Sequence, residues 1–223
     1  MKKFELTNEF IANRFGTKLF RIRALVEFGD VEAGELGGYV EKESNLGHDD
    51  NAWVYGNARV YGDALVYDNA RVYDNAWVYG DAQVSGDALV YDNARVYGNA
   101  RVCGDAQVSG DALVYGNAWV YGDAQVSGDA RVCGDARVCG NGDYAYAHGF
   151  GSVNRTTTFF RLKDGGVGVR CGCFYGTLAQ FRDKIRETHG ETKKAQEYLM
   201  LADLMELRFE EDENEVGNRK YVE

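Results

Sequence analysis

The chain of 223 residues contains no proline, only 3 histidines and 3 methionines, and fewer basic than acidic side chains. Each scarcity excludes something. Without proline, no residue is denied its backbone donor, so continuous β-ladders are open to the chain. His48, His148 and His189 lie 100 and 41 residues apart. They are not expected to converge as the three imidazoles of a zinc centre, and neither a metal site nor a cofactor is expected. Lys+Arg number 25 against 35 Asp+Glu, a formal net charge of −10, so direct binding of nucleic acid is not expected, because phosphate contacts need positive fields. No apolar run nears the roughly eighteen residues that span a bilayer and no leader pattern opens the chain, which predicts a soluble, cytoplasmic protein. The cysteines, 5 in all, form an odd set at Cys103, Cys133, Cys139, Cys171 and Cys173, expected as reduced thiols.

What is present is a six-residue unit written over and over between Asn51 and Gly140, as in Asn-Ala-Trp-Val-Tyr-Gly and Asp-Ala-Leu-Val-Tyr-Asp. Valine returns every six residues from Val54 to Val138 without a slip, which makes fifteen units, and alanine stands two residues before each valine. In an extended Ala-x-Val-x segment, alanine and valine face one way and the two variable residues the other. The Gly/Asp-Asn/Asp pair that follows is turn chemistry, because these residues tolerate positive φ and Asx side chains bond nearby backbone. So short a unit cannot bury its apolar face alone, and stacked copies are the solution.

This strict period resembles the hexapeptide repeat of left-handed parallel β-helices. The resemblance implies three hexads per triangular coil, hence five regular coils. At the usual strand spacing the regular prism would be about 24 Å long. The predicted fold class is therefore mainly β, a left-handed parallel β-helix followed by a ββαα module.

The flanks are organised around that prism. Residues 1–33 predict an N-terminal cap, with Phe4, Leu6, Phe10, Ile11 and Phe15 suiting a short helix or cap piece and residues 17–29 a strand or hairpin. The solenoid spans residues 34–152, starting irregularly: Val40 and Leu46 are six apart, and an insertion near Gly47-His48-Asp49-Asp50 delays Val54. Tyr144, His148 and Phe150 continue the spacing on a decaying last coil. Residues 153–209 form the C-terminal module. Lys163-Asp164-Gly165-Gly166 predicts a hairpin turn, Thr177 with Gln180 a capping box, and Thr192 the start of a second helix. Residues 210–223 are read as an acidic tail that frays.

The hexads, together with Leu36-Gly-Gly-Tyr, Gly-Cys-Phe-Tyr-Gly-Thr-Leu at 172–178 and Glu-Thr-His-Gly at 187–190, resemble a family of phage and prophage accessory proteins. The resemblance covers nearly the whole chain. It implies a place in the host-cell cytosol and, by analogy with accessory proteins of this size, inhibition or sequestration of a host defence protein or a small signalling ligand.

An enzyme alternative follows from the same repeat, since many hexapeptide proteins are acyltransferases with a histidine base near a coil boundary. His48 and His148 are the candidates. No long excursion interrupts the hexads to build an acceptor pocket, so no catalytic residue is assigned.

Assigning hexads to three faces in turn places the outward side chains. Before valine, face one carries Trp53, Arg71, Leu89, Gln107 and Gln125, face two Arg59, Trp77, Arg95, Leu113 and Arg131, and face three Leu65, Gln83, Arg101, Trp119 and Arg137. After valine, face two carries Tyr61, Tyr79, Tyr97 and Tyr115, ending in Cys133. Tyrosine, tryptophan and arginine are the residues enriched at binding hot spots. Tyr61, Tyr79, Tyr97, Tyr115, Arg59, Trp77, Arg95 and Arg131 are therefore the expected binding set, for a partner protein, a signalling ligand, or further copies in a dimer or trimer. The corner aspartates admit a third reading, an acidic rod that imitates nucleic acid. Six arginines interleave with eleven aspartates over 51–140, which dilutes that charge.

Overall fold

The computed structural model describes residues 2–210. The acidic tail after Glu210 lies outside the described residues. Residues 36–138 wind as a parallel β-solenoid with three flat faces. Face one is a five-stranded sheet running from Trp53–Val54 to Gln125–Val126, and face three is a five-stranded sheet from Leu65–Val66 to Arg137–Val138. Face two belongs to an eight-stranded sheet, because the N-terminal strands continue it. Each rung pairs with the residue eighteen positions on, as Val78 with Val96 and Val96 with Val114, so three hexads do make one coil.

The interior is as the alternation requires. Every repeat alanine from Ala52 to Ala136 and every repeat valine from Val54 to Val138 is fully buried. The regular strands are short, many of them two residues such as Arg71–Val72. Three on face two, Arg59–Gly62, Trp77–Gly80 and Arg95–Gly98, reach four because tyrosine and glycine stay in register from coil to coil. The corner residue closing each hexad but the last takes positive φ, as Gly80 (+73°) and Asp92 (+60°) do. Glycine fits there without strain. Aspartate compensates through its side chain: Asp68 Oδ2 and Asp92 Oδ2 accept from the amides of Gly86 and Gly110 on the next coil, at 3.1 and 3.0 Å.

The irregular first coil forms as the spacing of Val40 and Leu46 suggested. Tyr39 and Val40 pair in parallel with Arg59 and Val60, and Leu46 bridges Val66. Strand β1 (Phe4–Ala12), however, is no helix. It runs antiparallel to β2 (Lys18–Ala24), which pairs antiparallel with β3 (Leu36–Val40). A register shift between Leu6 and Phe10 explains why the apolar residues of β1 do not alternate cleanly. Gly37 is where the hairpin meets the first full coil: a Cβ there would lie 2.6 Å from Val54 O and 2.7 Å from the Trp53 ring.

The antiparallel part begins earlier than residue 153. Tyr144–Phe150, placed on a last coil by hexad spacing, instead pairs antiparallel with Arg155–Arg161. Val167–Cys171 and Phe174–Thr177 complete a four-stranded sheet. Helices α1 (Leu178–His189) and α2 (Lys193–Phe209) follow. Thr177 and Gln180 form the capping box, and Asp164-Gly165-Gly166 turns the hairpin whose strands pair Arg161 with Val167. Two cores result. One fills the solenoid and takes in Phe4, Tyr144 and Phe160. The other lies between the antiparallel sheet and the helices, around Phe159, Val169, Phe181, Ile185, Tyr198 and Phe209.

Candidate functional site

On face two the four tyrosines form one continuous stack. The rings of Tyr61 and Tyr79, Tyr79 and Tyr97, and Tyr97 and Tyr115 have centroids 5.0, 4.9 and 4.9 Å apart, with planes within 4° of parallel. The backbone dictates this, since identical residues in register stack at the strand repeat. Every ring face but the outer ones of Tyr61 and Tyr115 is thereby covered by a neighbour. What the ladder offers outward is ring edges and hydroxyls. The hydroxyls of Tyr61, Tyr79 and Tyr97 make no hydrogen bond to a described residue, whereas that of Tyr115 bonds the buried thiol of Cys133. Burial raises the pKa of all four phenols. They are neutral donors at physiological pH.

Beside the ladder stands a second column. The guanidiniums of Arg59 and Arg95 lie 5.0 and 4.8 Å from the centroid of Trp77, one on the coil before it and one on the coil after. Leu113 separates Arg95 from Arg131, whose amide donates to Thr158 Oγ1 at 2.9 Å where the antiparallel sheet begins. Two further arginines enter from outside the repeats. Arg14, in the turn after β1, acts on Tyr61 and Tyr79, easing their raised pKa. Arg170, from the C-terminal sheet, lies 6.0 Å from the Tyr115 centroid and acts on Tyr97 and Tyr115. Sequence reasoning missed both. The repeat says nothing about which distant turn or strand will lean on it, so no local signal could have marked them.

Arg14, Arg59, Arg95, Arg131 and Arg170 thus surround four neutral phenols. No carboxylate of a described residue pairs with any of the five. On a chain of net charge −10 this is a local inversion of sign. The expected binding residues are therefore brought together, Arg131 at the margin.

The other faces differ. Face three repeats the cation stack, with Arg101 and Arg137 at 4.9 and 4.5 Å from Trp119. Its post-valine slots hold Tyr67, Ser85, Cys103, Tyr121 and Cys139, with no ladder. On face one, Trp53 is not exposed. It is fully buried beneath Phe4 and Phe28, with ring centroids at 6.2 and 5.3 Å. The hexad pattern gave its direction correctly, but the N-terminal segment covers it. Tyr55 and Tyr73 stack at 4.6 Å and are tied to the same segment, Tyr55 through a 2.9 Å hydrogen bond to Asp30.

The histidines proposed for acyl transfer lie apart. His48 stacks on Phe4 at 4.5 Å, accepts the Lys3 amide at Nδ1 and meets Glu43 at Nε2. Both ring nitrogens serve the N-terminal cap. His148 is exposed on the antiparallel sheet, with Nδ1 2.9 Å from Thr156 Oγ1 and 3.7 Å from Asp129. Among the described residues no group of three or more His, Cys, Asp or Glu could hold a metal ion, and no helix is long and apolar enough to cross a membrane.

Fold and faces define a β-solenoid repeat protein with two dissimilar ends. Residues 52–67, 64–80, 82–95, 106–122 and 124–140 match the family described as YdcK beta solenoid repeat. No curated protein matches the chain.

Proposed function

We propose that the protein is a binding module whose face two docks a partner protein presenting an acidic surface. The observation that supports this reading is the set of five arginines with no carboxylate partner among the described residues, around a flat row of neutral phenol donors. Such a surface has donors and cations but few acceptors, so it complements carboxylates. Because the rings cover one another, the row does not serve as a stacking platform for bases. Self-association through face two would set guanidinium against guanidinium, so a dimer or trimer would be built elsewhere. The resemblance to phage and prophage accessory proteins supports a host-cell partner that is inhibited or sequestered.

The test is affinity capture from host lysate, identification of the captured protein, and calorimetric titration of that protein. Tyr79→Ser/Tyr97→Ser keeps the coil by the chain's own precedent, since serine fills the equivalent slot at Ser85, Ser109 and Ser127. That variant, and Arg59→Ala/Arg95→Ala separately, are expected to lose about 2 kcal/mol, roughly thirtyfold in affinity, with binding by the native chain weakening as salt rises. Unchanged affinity in both folded variants would reject face two as the site.

A further inference from the structure

Face one carries a feature that the ladder reading does not use. Its post-valine slots read Tyr55, Tyr73, Tyr91 and then Ser109 and Ser127. Where the two tyrosines are missing, the antiparallel sheet and α2 stand opposite, and a groove of about 560 Å³ opens between them. Its floor is Gln107, Ser109, Gln125 and Ser127; Tyr91 closes one end, and Tyr146 and Arg208 stand on the far wall. That wall is fixed to the floor: Tyr144 Oη donates to Gln125 O at 2.5 Å, Asn141 Oδ1 accepts the Gln125 amide at 2.9 Å, and Arg208 donates to Asn141 O at 3.2 Å.

We infer that this groove is a second binding site, and that it takes a saccharide. Among the described residues the lining holds no carboxylate and one guanidinium. The hydroxyls of Ser109 and Ser127 and the side-chain amide of Gln125 bond no described residue. Groups that both donate and accept are what vicinal hydroxyls require, since each hydroxyl does the same. Gln107 and Gln125 repeat on adjacent coils, about 4.8 Å apart, offering two amides side by side. Tyr91 and Tyr146 supply ring surface for the apolar C–H faces of a sugar. An apolar ligand would strip these polar walls of water without replacement, and a phosphate-rich one would meet a single cation.

The variant Ser109→Tyr/Ser127→Tyr fills the groove with the residue the repeat itself uses at Tyr55, Tyr73 and Tyr91, so it should fold. Saturation-transfer NMR with maltose, lactose, chitobiose and N-acetylneuraminic acid, each at millimolar concentration, provides the readout. Transfer to at least one sugar from the native chain is expected, with a loss of fivefold or more in the double variant and in Gln125→Ala. Tyr79→Ser/Tyr97→Ser should transfer like the native chain, which separates this site from face two. The inference is overturned if none of the four sugars receives transfer, or if the double variant, with an unchanged melting temperature, transfers as the native chain does.

Discussion

The two ends of the solenoid are closed by different means. At the N-terminal end, single side chains are laid onto the prism's own core. Phe4 and Phe28 cover Trp53, and Lys3, itself buried, donates to Ala52 O, Asp50 O and Asp49 O at 2.9, 3.2 and 3.4 Å. At the C-terminal end a unit with its own aromatic core is attached. It contributes Phe160 and Tyr144 to the solenoid interior, and it is held by Lys163 N to Asp135 O at 3.0 Å and by the bridge between Ala136 and Leu162. A repeat that buries only valine and alanine has no residue of its own to seal an open end. One end is sealed by extending the sheet and plugging it, the other by docking a second fold.

That contrast can be broken experimentally. Trp53→Ala removes the largest fully buried side chain of the molecule and should cost about 3–5 kcal/mol. Because Trp53 belongs to the solenoid core, calorimetry should show the solenoid transition shifted as a whole. If only a minor low-temperature transition moves, the N-terminal end is a separate unit after all. Phe181→Ala should cost about 3 kcal/mol or somewhat more, but within the second core. Amide exchange should quicken in residues 155–209 and leave the rungs between Val60 and Val120 protected. Faster exchange in those rungs would show that the two cores unfold together.

The smallest effect sharpens the plug. Burial pushes the Lys3 ammonium down from its ordinary 10.5 to about 8, against the opposing pull of Asp50 and Asp49. Between about pH 8 and 10.5 the unfolded chain holds a proton at Lys3 that the folded chain has lost. Stability therefore rises with pH through that window on account of this group, and is flat in it below about pH 8. Lys3→Met should lack the rise, so the native-minus-variant difference in unfolding free energy should grow from pH 8 to pH 10. A constant difference would mean that Lys3 keeps its charge beneath the cap.

The repeat made the interior legible because alternation and a period of six leave one way for alanine and valine to point. It made the ladder legible too, since residues eighteen apart must meet. It could not show what nonrepeating segments later cover. Trp53 points where its slot says, yet Phe4 and Phe28 bury it. Tyr144–Phe150 has hexad spacing, yet pairs antiparallel because Arg155–Arg161 turns back along it. The strand β1 was hidden by the register shift that breaks its alternation, and Arg14 and Arg170 reach the tyrosines only through folds that local spacing does not encode. The face-one groove was visible only as two serines in tyrosine slots, without the wall that makes it a cavity.

The in-register stack gives the binding face a quantised length. Tyr61, Tyr79, Tyr97 and Tyr115 share one side only because consecutive members are eighteen residues apart. A duplication or deletion of eighteen residues within the repeats would add or remove one rung and leave every other side chain on its side. A change of six or twelve would carry all downstream tyrosines around the prism to a neighbouring face and rotate the C-terminal unit with them. The reach of this surface can thus be lengthened in whole steps by unequal recombination, and its breadth is protected from gradual drift.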